Sequence, residues 1–183
     1  DYVGHPILDS IATRKKTLLS RENFLKNYEL DERPIIALLP GSRKQEIKTK
    51  LPTMVKVISH FPDHQFVIAG SDNVDQALYA PYLKEAKLII NKTYNILNNA
   101  QAALVTSGTA TLETALFNVP QVVCYKPGYV TYHLLKRIIS IKYICMVNLV
   151  LDKMVVQELI EGDFNEKRLT EELKRAMNEL RRS

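Results

Sequence analysis

Long hydrophobic runs are missing from this 183-residue chain. No stretch reaches the roughly 18 apolar residues that a membrane-spanning helix needs, and no signal-peptide pattern is recognised at its start. A chain that lies on a membrane at most, without crossing it, is the expectation. Cysteine is scarce: Cys124 and Cys145 are the only two, and both have apolar neighbours. That reads as buried, reduced thiols of a cytosolic protein, not as a disulfide framework. No G-x-G-x-x-G follows the first apolar run, which disfavours a dinucleotide cofactor, and the absence of G-x-x-x-x-G-K-[ST] argues against a P-loop. Zinc spacing, an aromatic RNP stretch and a long basic run are all lacking, so nucleic acid is not an expected partner. Metal-ligand spacing, internal repeats and a nucleophile paired with a base and an orienter are lacking too.

What is present suits a globular domain. Hydrophobic residues make up 46% and charged residues 25% of the chain, ordinary values for a soluble protein. At this length a chain buries roughly 70% of the surface it exposes when unfolded, enough for a real core. The net charge of +5 and pI near 9.1 favour an anionic partner weakly. The first residue is Asp, not Met, which is consistent with a piece of a longer protein.

The apolar pattern alternates between strand-length runs and helical stripes. After the Gly4-His5-Pro6 bend, residues 14–33 are polar and basic, with Phe24, Leu25 and Tyr28 at helical spacing, and read as a short helix in a linker. Ile35–Leu39 is a first strand. Ile47, Leu51, Met54, Val55, Ile58 and Phe61 form a helical stripe, with Pro52 marking a kink or a first turn. Gln65–Gly70 is a second strand, 76–85 a helix, Lys87–Ile90 a third strand and 94–100 a short helix. Ala102–Val105 is a fourth strand and the helix from Ala110 follows it. Gln121–Tyr125 is a fifth strand, 129–140 a helix, 143–147 a sixth strand, 148–150 a loop and 154–160 a helix. A last amphipathic helix runs over 166–182, capped by Asp163 or Asn165.

About six strand–helix alternations predict an α/β fold, a doubly wound parallel sheet with right-handed crossovers. Ligands in such sheets bind outside the carboxyl ends of the strands. Three segments fall on that edge. In Thr106-Ser107-Gly108-Thr109, a strand turns straight into a helix, whose free amides and positive macrodipole end attract phosphate. Glu113, one turn further, suits the diol of a ribose. The same residues also fit an ordinary helix cap with a surface Glu, and the stretch alone leaves both readings open. Pro40-Gly41-Ser42-Arg43 is a second such junction, with a guanidinium able to clamp phosphate. Tyr125-Lys126 ends the fifth strand at the same rim.

Several motifs in order carry a resemblance. Tyr2-Val3-Gly4-His5-Pro6, then Leu39-Pro40-Gly41-Ser42-Arg43 with Glu46, then Ser107-Gly108-Thr109-Ala110-Thr111-Leu112-Glu113, then Tyr143 to Leu149 and Val156 to Ile160 follow one another. Together they resemble the bacterial lipid-A-disaccharide synthases, inverting glycosyltransferases of the two-domain GT-B fold, over their C-terminal half only. The resemblance implies transfer of 2,3-diacylglucosamine from UDP to 2,3-diacylglucosamine 1-phosphate, with release of UDP. It implies a UDP-sugar-binding Rossmann-like domain at 34–183, preceded by an interdomain segment at 1–33. The N-terminal domain lacking here would hold the acceptor and the general base, so no catalytic residue is expected in this half. Donor-binding residues would be Gly41, Ser42, Arg43, Tyr125, Ser107, Gly108, Thr109, Glu113, Asn148 and Glu158, with no metal and no cofactor. The expected partners are UDP-2,3-diacylglucosamine, its acyl-glucosamine phosphate acceptor, the N-terminal domain and, weakly, the anionic cytoplasmic face of the inner membrane. The basic and apolar segment 129–144 would make that last contact. Two other classes fit the residues: a related GT-B enzyme, such as a UDP-N-acetylglucosamine 2-epimerase or the muramyl-lipid glycosyltransferase, and a non-catalytic sugar-nucleotide-binding module.

Overall fold

The computed structural model describes residues 17–126 and 143–180. The Tyr2–Pro6 motif and the helix expected over 129–140, with its proposed membrane contact, lie outside these residues. Helix α1 (Arg21–Asn27) is capped by Ser20 and is followed by β1 (Ile35–Leu39), α2 (Lys44–Met54) and a 3-10 turn at Val55–His60. Strand β2 (Gln65–Gly70), two short 3-10 turns, β3 (Lys87–Ile90) and α3 (Thr93–Asn99) come next. Strand β4 (Ala100–Thr106) then leads into α4 (Thr109–Leu116), β5 (Gln121–Tyr125), α5 (Met146–Leu151), β6 (Gln157–Ile160) and α6 (Glu166–Leu180).

All six strands are parallel, in the order β3-β2-β1-β4-β5-β6. This is the doubly wound order 3-2-1-4-5-6, whose chain reverses direction across the sheet between β1 and β4. The strands read as continuous apolar runs because helices cover both faces. Every residue of β1 and β2 is buried. One face packs Ile36, Leu38, Leu104 and Val122 against Ile47, Leu51 and Met54 of α2 and Leu169 and Leu173 of α6. The other packs Ile35, Ala37, Val67 and Val105 against Phe24 and Leu25 of α1 and Ile96 and Leu97 of α3. Helix α1, expected in a linker, is thus part of the sheet's cover: the side chain of Phe24 is fully buried.

Four local expectations are corrected. The helix expected over 76–85 is two 3-10 turns, Gln76–Leu78 and Ala80–Tyr82. Pro81 lacks an N–H and cannot continue a helical ladder. The segment 143–147, expected as a sixth strand, is a bend that enters α5, and 148–150 is helix instead of loop. Cys145 caps that helix, its sulfur accepting from Asn148 N at 3.5 Å. The helix expected over 154–160 contains the true sixth strand. There β5 supplies a full ladder, pairing Val122 with Gln157 and Tyr125 with Ile160. Pairing at an open sheet edge outweighs the weak helical spacing of a segment rich in β-branched residues. Pro52 sits inside α2, and the chain tightens into the 3-10 turn just after it. Asn165 caps α6, its Oδ1 accepting from Arg168 N at 3.0 Å.

Candidate functional site

A cleft of about 470 Å³ opens where β1 and β4 part, at the carboxyl ends of the strands. Its walls include Gly41, Ser42 and Arg43 from the β1–α2 loop, Ser107, Gly108 and Thr109 from the β4–α4 loop, and Glu113 from α4. Seven of the ten residues expected to hold the donor therefore share one cleft. A larger cleft, about 570 Å³, lies at the opposite edge, beside the starts of β5 and β6 at Gln121 and Gln157. The smaller one has the position that doubly wound sheets use for ligands.

The two loops are built differently. Gly41 has φ +110°, which side-chain-bearing residues rarely adopt, and a Cβ there would collide with Glu46 Oε2. The Glu46 carboxylate folds back to accept from Ser42 N at 3.0 Å and Arg43 N at 3.2 Å. The Ser42 and Arg43 amides are engaged by the chain's own acid, which leaves the Arg43 guanidinium as the group this loop can offer an anion. Arg43 is the one cation among the described residues that line this cleft.

Gly108 has φ +145°, and nothing lies within 4 Å of a Cβ built on it. It is the N-cap of α4 with no side-chain capping bond. Thr111 donates to Gly108 O through both Oγ1, at 2.8 Å, and its own N–H, at 3.2 Å, so its side chain caps none of the helix's first amides. The uncapped Thr109 and Ala110 amides and the macrodipole make the amino end of α4 the anion-attracting part of the cleft. The expected hydroxyl donors are only partly available: Ser107 Oγ points at Ile144 O, 3.4 Å away. Glu113 lines the cleft half-buried, and its Oε1 accepts from the Tyr94 hydroxyl at 2.8 Å. Glu113 also borders an adjoining cleft of about 530 Å³ beside Asn91, Lys92 and Tyr94. The two spaces meet at this carboxylate.

Tyr125, Asn148 and Glu158 do not line the cleft. Tyr125 ends β5 opposite Ile160. Asn148 is fully buried and its amide is saturated. Its Oδ1 accepts from Val155 N at 2.8 Å and Val156 N at 3.0 Å, while its Nδ2 donates to Val156 O and Glu158 Oε1, both at 2.8 Å. Glu158 in turn accepts from Ile144 N at 2.9 Å and Cys145 N at 3.1 Å. The pair expected to touch the donor forms an internal brace that ties β6 to the 144–145 bend, and through Ile144 to Ser107. Burial pushes the Cys145 thiol inside this brace up to about 11, so it stays protonated. Two further residues lie at these clefts. Thr106, the first residue of the small hydroxylated junction but not among the expected donor-binding residues, lines this cleft, and Tyr94, expected only as the start of a short helix, lines the adjoining one and gains its place through the fold. Among the described residues no group of three or more His, Cys, Asp or Glu side chains is arranged to hold a metal ion, and no helix is long and apolar enough to cross a membrane.

Comparison with known proteins agrees with this architecture. The family model for lipid-A-disaccharide synthetase matches residues 1–183. The lipid-A-disaccharide synthase of Syntrophus aciditrophicus is 36% identical over 182 residues, covering 94% of this chain and 46% of that protein. The Coxiella burnetii enzyme is 37% identical over 183 residues, covering 97% of this chain and 48% of its own length. The chain therefore spans about half the length of the curated relatives it matches. Among solved structures, E. coli ADP-heptose LPS heptosyltransferase II shares the fold with a TM-score of 0.57 at 14% identity, over 89% of this chain and 53% of that one. An assigned UDP-N-acetylglucosamine 2-epimerase from Listeria monocytogenes gives 0.59 at 12%, over 93% and 43%. At these identities the two structures speak for the fold alone.

Proposed function

Because the chain belongs to the lipid-A-disaccharide synthetase family, we propose that it is the donor-binding half of a glycosyltransferase. The reaction moves 2,3-diacylglucosamine from UDP to 2,3-diacylglucosamine 1-phosphate. The observation that carries this reading is the cleft between β1 and β4. It combines an uncapped helix amino end, the Arg43 guanidinium and the Glu113 carboxylate within a single space, where the second carboxylate, Glu46, is turned onto its own loop amides. An anion belongs at Gly108 and Arg43, and a diol belongs at Glu113.

In the transfer, the acceptor's 6-hydroxyl oxygen bonds to C1 of the donor sugar. The bond from C1 to the phosphate oxygen breaks and its electron pair leaves with UDP. Arg43 and the α4 amides stabilise the charge that grows on the departing pyrophosphate. The hydroxyl proton passes to a base outside this chain, in the half that the longer relatives contain. Glu113 holds the ribose and takes no part in bond breaking. The acyl chains of both sugars put the reaction at a membrane surface, so the reading includes weak, salt-sensitive attachment to the cytoplasmic face of the inner membrane.

Calorimetry with UDP, ADP and uridine tests the donor assignment, with a disaccharide assay run in parallel. The chain is expected to bind UDP in preference to ADP and to form no product until an N-terminal half is supplied. Preference for ADP overturns the donor assignment. Robust synthesis by this chain alone overturns the division of labour, and failure of every reconstituted pair would favour a non-catalytic binding module.

A further inference from the structure

Four buried side-chain polar atoms among the described residues have no hydrogen-bond partner: His64 Nδ1, Thr106 Oγ1, Gln121 Oε1 and Glu161 Oε1. Only Thr106 lines the switch-point cleft. It closes β4 immediately before Ser107 and is 5% exposed. A buried hydroxyl without a partner is unfavourable by about the strength of a lost hydrogen bond, and such groups in folded proteins call for a physical reason. Its surroundings offer none. The residue beside it on β5 is Cys124, whose thiol is directed to Val122 O at 3.7 Å and is kept protonated by burial. The neighbouring hydroxyls behave differently: Ser107 and Thr111 both donate to backbone carbonyls. A β-branched side chain is also stiff at χ1, so Thr106 has little freedom to seek a partner elsewhere.

We propose that Thr106 is a ligand-binding residue whose Oγ1 donates to a phosphoryl oxygen seated at the amino end of α4. The proposal rests on the nucleotide reading of the same cleft and assigns its phosphate end. The uncapped helix end attracts an anion, and the orphan hydroxyl lacks an acceptor. A phosphoryl oxygen supplies both. An apolar side chain of the same shape suits the empty cleft better than threonine does; the hydroxyl becomes favourable only when the cleft is occupied.

Thr106→Val and Thr106→Ser in the full chain test this. The measurements are the melting temperature without ligand and the affinities for UDP, uridine and inorganic pyrophosphate. The valine variant is expected to melt at or above the wild-type temperature. It should lose about tenfold in affinity for UDP and pyrophosphate, with uridine unchanged. The serine variant, which keeps the hydroxyl, should stay within about threefold of wild type on UDP. A valine variant that binds UDP like wild type, or that loses UDP and uridine equally, overturns the proposal and leaves the nucleotide reading standing. Melting several degrees lower without ligand overturns it as well, because the hydroxyl then already has a partner in the empty protein. If the wild type gains nothing from the uridine part yet binds pyrophosphate through Thr106, the nucleotide reading falls and the role of Thr106 stands.

Discussion

Leu39 to Arg43 and Thr106 to Thr109 are the same device met twice. Each ends a buried parallel strand, turns on a glycine of positive φ and starts a helix beside the same cleft. Yet the first junction is closed and the second open. Three residues after the N-cap the first has Glu46, whose carboxylate takes the loop amides, the acidic half of a capping box. The second has Thr111 at the same offset, and its hydroxyl donates to Gly108 O and accepts nothing from the helix. Glycine followed by a helix thus shows where the backbone turns. The residue one turn further decides whether the amides there are free.

The largest effects should come from the glycines. Gly41→Ala forces a Cβ into the Glu46 carboxylate and holds a non-glycine residue at φ +110°. Backbone strain and the lost cap together should cost about 2–4 kcal/mol. Gly108→Ala meets open space and adds only backbone strain, about 1–2 kcal/mol, but it puts a methyl group where the ligand must approach. Urea denaturation of both variants measures the difference. Equal losses would mean that the Glu46 contact does not fix the first junction. UDP affinity should fall more in Gly108→Ala than its stability loss suggests.

Next in size is Arg43→Ala. If the closed junction serves the ligand through its side chain alone, UDP and pyrophosphate should weaken by about ten- to a hundredfold while uridine is untouched. Glu113→Ala should instead weaken UDP and uridine alike. Calorimetry on the three ligands separates the two patterns, and the same profile for both variants would remove the distinction between a phosphate end and a ribose end.

Glu46→Gln sharpens the comparison with a smaller effect of mixed sign. The amide keeps a hydrogen bond to the loop but loses the charge, so stability should drop by about 1 kcal/mol. UDP binding should improve by about two- to fivefold, because a carboxylate no longer faces the phosphates, and added salt should shrink that gain. Unchanged binding at low salt would show that Glu46 is screened from the ligand.

The parts of this molecule legible in the sequence are those where burial and chain neighbours say the same thing. Ile35–Leu39, Gln65–Gly70, Lys87–Ile90 and Gln121–Tyr125 are apolar runs bounded by turn residues, and each is a strand with those bounds. Residues 143–160 were misread because their structure depends on partners far along the chain. Gln157–Ile160 is a strand only because β5 offers it an edge, and Asn148 starts no loop because Val155, Val156 and Glu158 engage its amide. The same limit applies to the cleft. Gly41, Arg43, Gly108 and Glu113 sit in motifs and were found. Thr106 stands in the same junction motif, but its burial and unpaired hydroxyl show only in the fold, and Tyr94 owes its position to a crossover. The capping role of Glu46 was within reach, since its spacing from Arg43 is a local signal.

Tyr94 gives the smallest predicted effect and the finest test of the open side of the cleft. Its hydroxyl donates to Glu113 Oε1 at 2.8 Å, and its ring packs on Phe117 with centroids 5.5 Å apart. Tyr94→Phe keeps the ring contact and removes only the hydroxyl. Two consequences oppose each other. Glu113 gains rotamer freedom that a ribose must then remove, an unfavourable change of about 0.5–1 kcal/mol. The carboxylate also regains an acceptor site and binds a diol more readily. Positioning should prevail, because the tyrosine engages Oε1 and leaves Oε2 for the ligand. UDP and uridine should therefore weaken together by about two- to fivefold, with pyrophosphate unaffected. The preference for uridine over 2′-deoxyuridine should narrow in the variant, which a general loss of stability would not produce. Tighter uridine binding by Tyr94→Phe would show instead that the tyrosine competes with the sugar for Glu113, and the open end of the cleft would then be partly closed by its own side chain, as the Gly41 loop is.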